Sequence, residues 1–142
     1  MSITLTSVRD QVETRLQETA NLIFSTDTID EALRGSLAEL SGSYGAVQTL
    51  SGLDGASSTT FEEQDLNTLI LGAVAYALRF RLVGKFEEAS PIREHPEDLA
   101  KWATEFMNEF QSQLIMVRLR FFQESDDAPY SQWAWEEGDD FS

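Results

Sequence analysis

The side chains best equipped for proton transfer or metal binding are a single histidine, His95 in "REHPED", and a scatter of adjacent carboxylates. An imidazole works as a general base only with an orienting carboxylate on one side and a reacting group on the other. Glu94 adjoins His95, but no nucleophile converges on it, and a histidine before proline at a helix start reads as a surface loop residue. The pairs Glu62-Glu63, Glu87-Glu88, Glu97-Asp98, Asp126-Asp127 and Glu136-Glu137 are what 25 acids in 142 residues produce without any catalytic demand. "DGASSTTFEE" lacks the alternating oxygen ligands and closing carboxylate of a calcium loop. The glycines of "SGSYG" and "SGLDG" form neither GxGxxG nor a P-loop with its lysine. The chain has no cysteine, so thiolate chemistry is absent as well. The expectation is a protein without enzymatic activity, without a metal and without a cofactor.

Binding chemistry is more visible. In "APYSQWAWEEGDDFS", the aromatic residues Tyr130, Trp133, Trp135 and Phe141 alternate with acids, and Pro129 and Gly138 interrupt any helix. From Glu124 onward there are seven acids and no Lys or Arg. Nearly half of the net charge of −15 therefore lies in the last nineteen residues. Aromatic side chains dominate interface hot spots, and a segment that orders on binding needs charge to stay soluble beforehand. Two readings follow: the tail folds back and buries Trp133 and Trp135 on its own domain, or, the reading preferred here, 124–142 is an acidic, aromatic arm that docks on a partner. The cations cluster too, as Arg79, Arg81 and Lys85 near one predicted helix end and Arg118 and Arg120 near another. Helix C-termini favour cations. The same residues, with Phe121 and Phe122, are also candidates for contact with a neighbouring subunit's acidic surface.

The elements that must position these residues are helical. The length fits one domain with a real core. Thr4 or Thr6 caps a first helix bearing Val8, Val12 and Leu16 at helical spacing and running to about Asn21. Thr26 or Asp27 caps a second, with Asp30 and Glu31 in its first turn and a stripe of Ile29, Leu33, Leu37 and Leu40, stopped by Gly42 and Gly45. Residues 45–61, rich in Gly, Ser and Thr, form an extended or β-hairpin insert around Asp54-Gly55. A third, central helix opens at Glu62–Asp65 and runs to about Val83. A fourth starts at Pro96–Asp98 and runs to about Gln123, with Leu99, Trp102, Ala103, Phe106, Phe110, Leu114, Val117 and Phe121 as its stripe. That stripe is longer than the first two helices can cover, so its end near Phe121 is expected to meet a neighbour, with Trp102 and Phe106 in the subunit's own core. The predicted fold is mainly α: a four-helix bundle-like domain over 1–123 plus the arm. No signal peptide is apparent, and "LNTLILGAVAYALRF" is too short to span a bilayer.

The succession of "TIDEALRGSLAELS", "LILGAVAYALRFRLV", "KFEE", "LAKWATEFMNEFQSQL" and "PYSQWAWEEGDDF" resembles the head–tail connector, or adaptor, proteins of tailed bacteriophages. In that family the second helix opens with an acid-rich turn before "ALR", the third reads like "AAYALR", and tryptophans and acids follow a proline in the tail. The resemblance implies a virion protein of the phage neck, made in the host bacterial cytoplasm. It would form a ring, usually of twelve copies, under the portal protein and bridge it to a downstream neck or tail protein. Genomic DNA would pass through the ring without specific binding, and an acidic wall would discourage it from sticking. Tyr130, Trp133, Trp135 and Phe141 would then anchor the arm on the portal. A different reading starts from the charge alone: a small acidic regulator that mimics DNA and occupies a basic nucleic-acid-binding protein. Such a mimic would be strongly salt-sensitive, whereas aromatic anchoring would tolerate salt.

Overall fold

The computed structural model describes residues 3–20, 22–83 and 96–124. It is mainly α-helical, with α1 (Leu5–Ala20), α2 (Thr26–Tyr44), a 3-10 turn (Glu63–Asp65), α3 (Leu66–Leu82) and α4 (Pro96–Glu124).

Thr4 begins α1, its hydroxyl accepting a hydrogen bond from the Ser7 amide at 3.3 Å. Leu5, Val8, Val12 and Leu16 are the face it buries. The cap of α2 is Ser25, one residue before the expected Thr26 or Asp27. Its backbone is extended and its hydroxyl accepts from the Thr28 amide at 3.2 Å, which leaves Asp27 inside the first turn to meet the helix dipole. Asp30 instead receives Arg9 in a two-pronged pair at 2.8 and 2.7 Å, joining α1 to α2. Gly42 does not stop α2. Gly45 does, at φ 77°, with its amide bonded to the Ser41 carbonyl at 2.9 Å. Only the left-handed residue needs to be glycine.

Among the described residues no strand forms, and the 45–61 insert is ordered mainly by hydroxyls. The Thr49 amide donates to the Thr60 hydroxyl at 2.8 Å, and the Ser51 amide to the Thr59 hydroxyl at 2.9 Å. Thr59 in turn donates to the Ile3 carbonyl at 2.7 Å, and the Leu5 amide donates to the Ser51 carbonyl at 2.9 Å. A single parallel bridge, Thr4 to Ser51, thus ties the insert to the start of α1. Leu50, Leu53 and Phe61 bury themselves on the core, and Arg34 of α2 holds Asp54 at 2.9 Å.

Helix α3 is the centre, packing most extensively against α2 and α4, with α1 against α2 and α3. Ten of its residues are buried, spread nearly all round. Gly72 marks the closest approach: a β-carbon there would collide with the Ser36 hydroxyl and lie 2.6 Å from the Phe110 ring. Ser36 is fully buried and donates to the Leu69 carbonyl at 2.7 Å, so its hydroxyl is satisfied. Helix α4 has 29 residues, about 43 Å at the helical rise. Leu99, Ala103, Phe110, Leu114 and Val117 are buried, and Trp102, Phe106 and Phe121 pack against the same core. Within the chain, α3 runs antiparallel beside α4 and covers this stripe together with α2. Thr68 donates to Gln113 at 2.6 Å near one end of that pairing. Among the described residues, no helix is long and apolar enough to cross a membrane.

Candidate interaction surface

The last turns of α4 are fixed by a polar cluster in which three elements meet. Asp65 ends the 3-10 turn and is only 2% exposed. Its carboxylate accepts two hydrogen bonds from the Arg120 guanidinium, at 2.9 and 2.7 Å, and another from the Tyr44 hydroxyl at the end of α2. The Tyr44 oxygen accepts from the Glu62 amide at 2.9 Å, and the Glu62 carboxylate stands 3.6 Å from Arg120. Burial, reinforced by the bond to Asp65, pushes the Tyr44 phenol up to about 12. The hydrogen bonds to Asp65 likewise raise Arg120 above its ordinary value, against the cost of burial. Phe121 adds an aromatic contact with Tyr44, 4.5 Å between ring centres, and the Arg120 guanidinium lies 5.0 Å from the Phe121 ring. Arg120 and Phe121, both candidates for contact with a neighbour, are thus engaged within the chain.

What this cluster holds in place is an apolar face that is exposed among the described residues. At 100° per residue, Phe122, Ile115, Leu119 and Met116 span an arc of about 120° opposite the buried Phe110, Leu114 and Val117 and the partly buried Phe121. Their exposures are 44, 57, 47 and 65%. The same outward face is polar earlier along the helix, with Lys101, Thr104, Glu105, Asn108, Glu109 and Ser112. The change from polar to apolar falls after Ser112. Isolated exposed apolar residues are ordinary, but a contiguous cluster on one helix face marks a surface that binds something. Phe122 is among the contact residues expected from sequence; Ile115, Met116 and Leu119 are not.

Beside this face, α2 and α4 bound a groove of about 400 Å³ whose lining includes Gly35, Ala38, Gly42, Tyr76, Ile115 and Arg118. The Gly35 backbone lets the Tyr76 ring come close: a β-carbon at Gly35 would sit 3.3 Å from it. The Tyr76 hydroxyl donates to Glu39 at 2.9 Å. Its phenol is raised by burial and by that bond, while nearby Arg79 acts in the opposite direction. Arg79 and Arg118 are exposed and form no ion pair among the described residues. Arg81 is partly covered and lies 5.2 Å from the Phe24 ring. The site residues Lys85, Tyr130, Trp133, Trp135 and Phe141, and the whole expected arm beyond Glu124, lie outside the described residues, as does His95.

Among the described residues, no cluster of three or more His, Asp or Glu side chains is arranged to hold a metal ion. The arrangement suits binding through a helix face, with a rigid cluster behind it and a charged groove beside it. Comparison with protein families, characterised proteins and solved structures finds no match to the chain.

Proposed function

We propose that the chain is a structural subunit of a tailed-phage neck, an adaptor that assembles as a ring beneath the portal and joins it to the next neck or tail protein. The observation that carries this reading is the outward apolar face of Ile115, Met116, Leu119 and Phe122 at the end of α4, which is exposed among the described residues. In a cyclic assembly each subunit offers one face to a different face of the next. The end of α4 supplies one such face, and the acidic, aromatic arm that follows it supplies the contact with the portal through Tyr130, Trp133, Trp135 and Phe141. On this reading the helices form a four-helix adaptor domain with the 45–61 segment as an insert. A net charge of −15 suits a wall past which DNA must slide.

The charge also favours one other reading, an acidic mimic of DNA that occupies a basic nucleic-acid-binding protein. Co-sedimentation with a portal ring from the same phage genome, using the full chain and a version ending at Gln123, separates the two. The adaptor reading expects the full chain to bind at moderate salt and the shortened chain to bind far less. Failure of the full chain to bind, together with salt-sensitive capture of a basic DNA-binding protein, would replace it with mimicry.

A further inference from the structure

Among the described residues, the large apolar side chains left exposed gather, Val47 apart, at the two ends of α3. Ile115, Met116, Leu119 and Phe122 lie level with its start, because Gln113 and Arg120 of α4 bind Thr68 and Asp65 there. Ile23, Leu82 and Val83 lie at its other end, with exposures of 77, 40 and 65%. The Arg81 guanidinium stands 5.2 Å from the Phe24 ring, which puts the last turn of α3 beside the residue that follows Ile23.

The charges at these two ends are complementary. Around the α4 face Asp65 neutralises Arg120, which leaves the exposed Glu62, Glu63 and Glu124 against Arg118 alone. At the far end Arg79 is exposed and forms no ion pair among the described residues. The acids at the start of α2 are mostly engaged: Asp30 with Arg9, Glu31 with Arg34, and Asp27 with the helix dipole. Helix α3 has 17 residues, about 25 Å at the helical rise, so the two ends of one chain do not meet. Two copies can bring them together. We propose that copies of the chain associate head to tail: Ile115, Met116, Leu119 and Phe122 of one pack on Ile23, Leu82 and Val83 of the next, and Glu62 and Glu124 face Arg79 at the rim. The apolar centre supplies the area, and the rim charges set the orientation. A contact between two different faces closes into a ring or runs on as a filament. This inference rests on the neck reading for closure into a ring, and on the two ends themselves for the contact.

The chain has no cysteine, so introduced thiols report the contact cleanly. Full chains carrying Leu119→Cys and full chains carrying Val83→Cys, both at exposed positions, are mixed at up to about 1 mM, where weak contacts are populated, and treated with a short bismaleimide. The mixture should give a cross-linked dimer in several-fold higher yield than either variant alone. A chain carrying both substitutions should give a ladder of higher multimers. Arg79→Glu, also at an exposed position, should lower the mixed yield several-fold without lowering the melting temperature. No mixed cross-link at any concentration would overturn the proposal. Leu119→Cys chains that link to one another as well as to Val83→Cys chains would overturn it too, since that marks a two-fold contact. So would a yield that Arg79→Glu leaves unchanged. Portal binding is scored separately: cross-linking without it supports this contact and sinks the neck reading, whereas portal binding without cross-linking does the reverse.

Discussion

Replacing Asp65 by Asn keeps the shape of the side chain and removes the charge that Arg120 and Tyr44 share. Asp65 is 2% exposed, whereas the Arg120 side chain retains 22%. Breaking a fully buried ion pair by removing one partner costs about 3–5 kcal/mol, chiefly because the other charge is stranded. Here the stranded guanidinium keeps some water and the Glu62 carboxylate at 3.6 Å, so the expected loss is smaller, about 2–4 kcal/mol. The Arg120 Nε is already buried without a hydrogen-bond partner, which leaves little room for it to reorganise. Urea unfolding read by circular dichroism measures the effect, and a thermal midpoint should fall by about 6–12 °C. Arg120→Met in the Asp65→Asn background should recover part of the loss, since it removes the stranded charge while keeping the apolar stem. A loss below about 1 kcal/mol for Asp65→Asn, or a double variant that costs the full sum of the singles, would refute this reasoning.

Gly72→Ala should destabilise by about 2–3 kcal/mol, because the added methyl runs into the Ser36 hydroxyl and the Phe110 ring; Ser36→Ala in the same chain should relieve part of it in urea melts. Alkaline pH should weaken the fold through Tyr44. Its phenol is raised from 10.0 to about 12 in the folded chain, so its contribution is complete below about pH 10 and lost as pH climbs through 12. Partial exposure limits that contribution to about 1–2 kcal/mol, and Tyr44→Phe should flatten this part of a stability-against-pH curve. Leu119→Ser with Phe122→Ser should leave stability within about 0.5 kcal/mol, since both side chains face outward, while abolishing ring formation on the portal by sedimentation velocity.

The helices were legible because their buried faces repeat at helical spacing. Val8, Val12 and Leu16 on α1 and the broad apolar run of α3 leave few alternatives. Cap positions were legible only to within a residue, since Ser25, Thr26 and Asp27 all carry capping oxygens and backbone geometry chooses between them. The two glycines at the end of α2 were equivalent in sequence, and only Gly45 takes the left-handed conformation. The insert's turn residues were readable. Its pairing was not, because the hydroxyls of Thr59 and Thr60 accept amides that a strand's carbonyls would otherwise take. Asp65, Arg120 and Tyr44 carry no local pattern: 55 residues separate the first two, and only packing of α3 on α4 joins them. The outward face had a readable signal in the spacing of Ile115, Leu119 and Phe122. The expectation included Phe122 of that face and Phe121 beside it, while Ile115, Met116 and Leu119 were passed over for the larger aromatic residues of the core-facing stripe.

The most direct measurement is electron microscopy of the full chain mixed with the portal ring from the same phage genome. The adaptor reading predicts a closed ring of added density under the portal, with the apolar end of α4 at each subunit boundary and the arm reaching onto the portal. Bare portal rings at saturating concentrations of the folded chain would contradict it.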